Sequence, residues 1–81
     1  PIPSNNITYV SFKLLKSSIV SLEIYNQKGE LVNVNIKDKV MPYGKHVITI
    51  NLTNLNLPNG TYFNNLTING QVKILKNIII D

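Results

Sequence analysis

Apolar and polar residues alternate with a period of two along most of the chain, the pattern of strands with one face buried and the other in water. Val10, Phe12 and Leu14 alternate with Ser11 and Lys13. Val20, Leu22 and Ile24 alternate with Ser21, Glu23 and Tyr25, and Val32, Val34 and Ile36 with Asn33, Asn35 and Lys37. In each run the apolar set is expected to face the core. Between the second and third runs stands Asn26-Gln27-Lys28-Gly29, whose glycine can take a positive φ, so these two strands are expected to form a hairpin. Met41-Pro42-Tyr43-Gly44 is the next turn, after which His46, Ile48, Ile50 and Leu52 share one face of a fourth strand against Val47, Thr49 and Asn51. Thr53 to Gly60 predicts a loop pinned by Leu55 and Leu57, with room for a short edge strand, ending in a Pro58-Asn59-Gly60 turn. Fifth and sixth strands, Thr61 to Ile68 and Gln71 to Ile80, flank Asn69-Gly70, a pair that suits the positive φ of a type I′ hairpin turn.

Strand runs separated by turn signals at this spacing predict an all-β sandwich or barrel. Composition supports it, because Ala is absent while Ile (12), Val (7) and Thr (5) are abundant, a mixture that disfavours helices and suits a pleated sheet. The 81 residues allow one small domain, read as starting near Ile7, with Pro1 to Asn6 as the end of a linker. A start at Pro-Ile-Pro is read as a chain cut from a longer one. No apolar window approaches the roughly 18 residues of a membrane-spanning helix, so no direct membrane insertion is expected.

Little here suits catalysis. There is no Cys and a single His, which excludes thiolate chemistry and a conventional zinc cluster. The four acids, Glu23, Glu30, Asp38 and Asp81, are scattered singly, whereas acid/base catalysis needs carboxylates held close with different pKa values. No enzyme activity and no cofactor are expected, and His46 is read as a partly buried residue at the edge of the core. The net charge of +4 raises the question of nucleic acid, but all eight cations are lysines and none is interleaved with exposed aromatics, as single-strand binders require. Lys13, Lys37, Lys45 and Lys73 are read as solvated faces and edge protection. A carbohydrate platform would need exposed planar aromatics. Trp is absent, and only Tyr25 and Tyr43 are expected to face solvent.

Two segments carry more information. Leu57-Pro58-Asn59-Gly60-Thr61-Tyr62 places a tyrosine just after a tight corner at the start of a strand, the arrangement of a tyrosine corner in which the phenol bonds back to nearby backbone. The last run, Lys73 to Asp81, ends in Ile78-Ile79-Ile80, which cannot all enter one core from one sheet face. Either this is a central strand covered on both sides or part of it is an apolar surface for a partner. The second reading is favoured.

The order of these motifs resembles the type A C-terminal sorting domain of the type IX secretion system, the Por secretion system sorting domain family. The resemblance runs from about residue 7 to the end. It rests on Val10-Ser-Phe12-Lys-Leu14, Val20-Ser-Leu22-Glu-Ile24-Tyr-Asn26 with Gly29 and Val32, Gly44-Lys-His46, the Pro58-Asn-Gly60-Thr-Tyr62 corner and Lys76-Asn-Ile78-Ile-Ile80. It implies an Ig-like antiparallel β-sandwich of six to seven strands, Greek-key in type, at the C-terminus of a cargo protein. It also implies passage through the periplasm and an outer-membrane translocon to the cell surface or medium, with a shuttle barrel and a sortase-like peptidase as partners. Cleavage would fall in the linker at or before Pro1. Gly60 and Tyr62 match the corner motif, and Lys76, Ile78, Ile79 and Ile80 match the closing segment on which family members depend. With Lys73 these are the expected partner-recognition residues. The chain departs from the pattern in Pro1-Ile2-Pro3-Ser4 where an Asn-Pro pair is usual, in Gln27 or Lys28 where a hydrophobic is usual, and in Asp81 where many members end near a basic residue. The contrasting reading is an accessory Ig-like domain, either carbohydrate-binding or a spacer, of an extracellular enzyme.

Overall fold

The structure, a computed structural model, describes residues 7–80, apart from the side chains of Ile74 and Leu75. The readings of Pro1 to Asn6 as a linker and of Asp81 as a departure from the family lie outside the described residues. Six strands form: β1 (Ile7–Leu14), β2 (Ser18–Asn26), β3 (Leu31–Met41), β4 (Gly44–Asn51), β5 (Gly60–Ile68) and β6 (Gln71–Ile80). β1 pairs antiparallel with β4 in a two-stranded sheet, and a four-stranded antiparallel sheet has the order β3-β2-β5-β6. The architecture is an all-β sandwich, as the alternation predicts.

The core lies between the sheets. Val10, Leu14 and Ile50 from the small sheet pack with Val20, Leu22, Ile24, Leu66 and Ile78 from the large one. Each such side chain contributes about 1.5–3 kcal/mol when fully buried, so this one layer of residues supplies most of the driving force for a domain of this size. The Asn26–Gly29 turn closes as expected, with Gly29 at φ +80° and its amide donating to the Asn26 carbonyl. At the other hairpin, Asn69 and Gly70 take φ +50° and +81°, the two successive positive values that a type I′ turn needs. The segment after β4 is a 3-10 turn (Leu52–Leu55) rather than an edge strand. Asn51 caps it by accepting from the Thr53 amide, and Leu52, Leu55 and Leu57 pack against the core.

β3 departs from the expected alternation. Val32 and Ile36 pack on the core, but Val34 is exposed and the side-chain oxygen of Asn33 is buried without a hydrogen bond among the described residues. The cause is in the ladder. Residues 37 and 38 of β3 bulge opposite Ser21, and further irregularities leave Val34 opposite Glu23 and Asn33 opposite Ile24. Cross-strand partners share a face, so Val34 joins Glu23 on the outside and Asn33 joins Ile24 on the inside. The first bulge is held by Ser21, whose hydroxyl accepts from the Asp38 amide at 2.9 Å and donates to the Asp38 carboxylate, with Asp38 at φ +46°.

Two buried polar side chains contrast sharply. Tyr62 is buried in the core and its phenol donates to the Pro58 carbonyl, which is the tyrosine corner predicted from the Pro-Asn-Gly-Thr-Tyr spacing. Asn64 is 1% exposed, and neither its amide nitrogen nor its oxygen has a partner among the described residues. A hydrogen bond gained in folding stabilises by about 1 kcal/mol, whereas an orphaned buried polar group costs about 1–3 kcal/mol. Urea unfolding should therefore show Tyr62→Phe destabilised by about 1–2 kcal/mol with an unchanged m-value. Asn64→Leu, with the same number of side-chain heavy atoms and none of them polar, should move the midpoint the other way, by an amount on the order of 1 kcal/mol. A destabilised Asn64→Leu variant would mean that its amide is satisfied in solution.

Candidate partner-recognition surface

Among the described residues β6 is the edge strand of the large sheet, hydrogen-bonded to β5 on one side only. Its ladder sets Ile80 opposite Gly60, Ile79 opposite Thr61 and Ile78 opposite Tyr62. The tyrosine corner and the closing segment therefore meet at one end of the sheet. Ile78 is buried, Ile80 packs against the core and Ile79 is 69% exposed. The Ile run is thus ordinary in-out-in alternation on an edge strand. The alternative of a central strand covered on both sides is overturned, because β6 is at the edge of the sheet among the described residues and its outer face leaves Ile79 exposed.

Lys76 stands opposite Asn64, on the inward parity of β6. Lys76 is nevertheless exposed, and its ammonium donates to the Tyr9 carbonyl of β1 at 3.0 Å. That bond joins the two sheets. Lys73 lies near the other end of β6, exposed, with its ammonium on the Gln71 side-chain oxygen at 3.2 Å. Six residues of strand, roughly 20 Å, separate it from Ile79. Of the expected recognition residues, Gly60, Tyr62, Ile78, Ile79 and Ile80 are brought together, Lys76 is midway along the strand, and Lys73 stands apart.

Lys73 has neighbours that the strand pattern does not reveal. Where the end of β1 and the turn into β2 meet the β5–β6 hairpin there is a cleft of about 460 Å³, lined by Phe12, Leu14 and Ile68 together with Lys13, Lys16 and Lys73. The available sequence signal is Leu14-Leu15-Lys16, a break in alternation that leaves Leu15 81% exposed at the turn.

The outer face of the large sheet is more self-contained. The Tyr25 phenol donates to the Glu23 carboxylate at 3.2 Å, and the Lys37 ammonium lies 3.6 Å from the same carboxylate. Loss of water around the ring raises the Tyr25 pKa above its ordinary value, and the hydrogen bond and charge of Glu23 add to this against a smaller opposing effect of Lys37. Tyr25 is half-buried, so it offers less of a stacking surface than expected, whereas Tyr43 is exposed as read and Tyr9, unforeseen, is exposed too. His46 is half-buried at the edge of the core, stacked on Phe12 with ring centres 5.5 Å apart, one ring nitrogen 2.8 Å from the Pro42 carbonyl. Among the described residues no three potential metal ligands gather, and no helix is long and apolar enough to cross a membrane.

Comparison with curated proteins and with solved structures gives no match. A family model does match, that of the secretion system C-terminal sorting domain, and it covers residues 1–81. The match spans the whole length of this all-β sandwich, and the chain belongs to the C-terminal sorting domains of the type IX secretion system.

Proposed function

We propose that this domain is the address of an exported cargo protein, read by the secretion machinery through the closing half of β6 and the adjoining corner. The family supports a C-terminal sorting signal for type IX secretion, with export to the cell surface or extracellular space. In our reading residues 7–81 form the sorting unit and residues 1–6 the end of the linker from the cargo. An outer-membrane shuttle barrel receives the domain after periplasmic transit, the translocon passes it, and a sortase-like peptidase removes it. Its role is recognition rather than catalysis.

The observation that carries this reading is the division of labour along the closing strand. Ile78 and Ile80 hold β6 to the core, which leaves the exposed Ile79 side chain and the backbone edge of β6, unpaired with any strand among the described residues, for a partner. An exposed edge ordinarily invites pairing with another chain. Gly60 and Tyr62 act by fixing the corner against which this end of β6 lies, and Lys76 by holding the strand against β1.

A fluorescent protein fused ahead of residues 1–81 should reach the surface or medium of a host with the system and be retained in translocon-deficient cells. Equal retention in both would sink the proposal. Ile79→Asp, at an exposed position, should keep stability within about 0.5 kcal/mol yet lower export several-fold. The control Val47→Asp, also exposed but on β4, should export like the parent. If both variants export normally, β6 is not the surface that is read.

A further inference from the structure

The cleft beside Lys73 combines an apolar lining with three lysines. Its walls are fixed. The Asn69 side chain accepts from the Ile19 amide at 2.9 Å and the Asn69 amide donates to the Ile19 carbonyl at 2.8 Å, which pins the β5–β6 hairpin to the start of β2. The Ser18 hydroxyl donates to the Lys16 carbonyl at 2.9 Å and shapes the β1–β2 turn on the other side. At about 460 Å³ the cleft falls within the range of about 300–1,000 Å³ typical of ligand pockets, which combine an apolar lining with a few placed polar groups.

Its charge is one-sided. Lys13, Lys16 and Lys73 line it, and no carboxylate does among the described residues. The described acids are engaged elsewhere: Glu23 with Lys37 and Tyr25, Glu30 with the Asn26 side chain, and Asp38 with Ser21. No salt bridge neutralises the three lysines among the described residues. An occupant must therefore bring both apolar surface and negative charge.

We propose that the cleft docks an acidic segment of a partner protein, with one apolar side chain entering between Phe12, Leu14 and Ile68 and carboxylates on either side meeting Lys13, Lys16 and Lys73. A peptide fits better than the other polyanions. One face of the Phe12 ring is already stacked on His46 and the lining holds no arginine to read base edges bidentately, whereas the apolar surface of Phe12, Leu14 and Ile68 matches a peptide side chain. The apolar surface is recessed in a cleft, with Leu15 the one large apolar side chain projecting from the β1–β2 turn, so a flat lipid surface would leave most of it uncovered. The proposal goes beyond the reading of β6 as an export signal. The cleft lies at the opposite end of that strand from Ile79, and its test needs no secretion.

The test is fluorescence anisotropy with the full chain and a fluorescein-labelled peptide of Asp and Glu residues around a central Ile-Phe pair. Saturable binding is expected, weakening as salt screens the exposed charges. Replacing Ile-Phe by Ser-Ser in the peptide should weaken binding at least about tenfold, a comparison that leaves the protein unchanged, and tenfold corresponds to about 1.4 kcal/mol. Lys13→Gln/Lys16→Gln/Lys73→Gln should weaken it comparably, while Lys28→Gln/Lys37→Gln, away from the cleft, should bind like the parent. Equal weakening in both lysine variants, or no loss with Ser-Ser, would reduce the interaction to general charge attraction and overturn the proposal. So would binding to phosphatidylglycerol vesicles in the absence of peptide binding, which would assign the lysines to a membrane surface.

Discussion

The domain depends on the pairing of β2 with β5. Leu22 stands opposite Leu66 in that ladder and both are fully buried, with Val20 and Ile24 equally buried on either side along β2. These two strands are far apart in sequence, and joining them creates the platform to which each hairpin adds its outer strand, β3 on one side and β6 on the other. The small β1–β4 sheet then covers the platform through Val10, Leu14 and Ile50. Without the central pair there is no apolar surface broad enough for either edge or for the second sheet. In a chain this short, conformational entropy consumes nearly all of what burial provides, so no other region has stability to spare.

Much of this was legible in the sequence because alternation is a strong signal where the ladder is regular. Val10, Phe12 and Leu14, the three inward residues of β2, and the run from Ile48 to Leu52 face the core as their spacing predicts. Tyr62 was readable because the geometry of a corner is set locally by Pro58 and Gly60. Val34 was not, because its face is decided by bulges whose position depends on the partner strand and on the Ser21 hydroxyl holding Asp38. Such pairing across 17 residues leaves no trace in a window read along one strand.

The same distinction separates the two candidate surfaces. Ile78, Ile79 and Ile80 announce themselves as an anomalous run, and strand periodicity alone, once the strand is known to be an edge, sorts them into two that anchor and one that projects. The lysine cleft had no comparable signal. Lys13 and Lys16 flank one end of β1 and Lys73 belongs to the last strand. Read singly, each is an exposed cation of little consequence. They become a feature only when the turn into β2 and the β5–β6 hairpin are set side by side, which is a property of topology rather than of any segment.

The bond from Lys76 to the Tyr9 carbonyl spans 67 positions of the chain and links its last strand to its first. It can form only after β5 has crossed to β2, β6 has folded back along β5, and the small sheet has closed over the core. It is therefore a contact of high sequence separation, among those whose loop-closure cost delays them in folding. A receptor engaging the rim of β6 beside this bond would sense more than local sequence. It would meet a strand whose position requires the first strand to be docked already, so that completeness of the fold would itself be part of what is recognised.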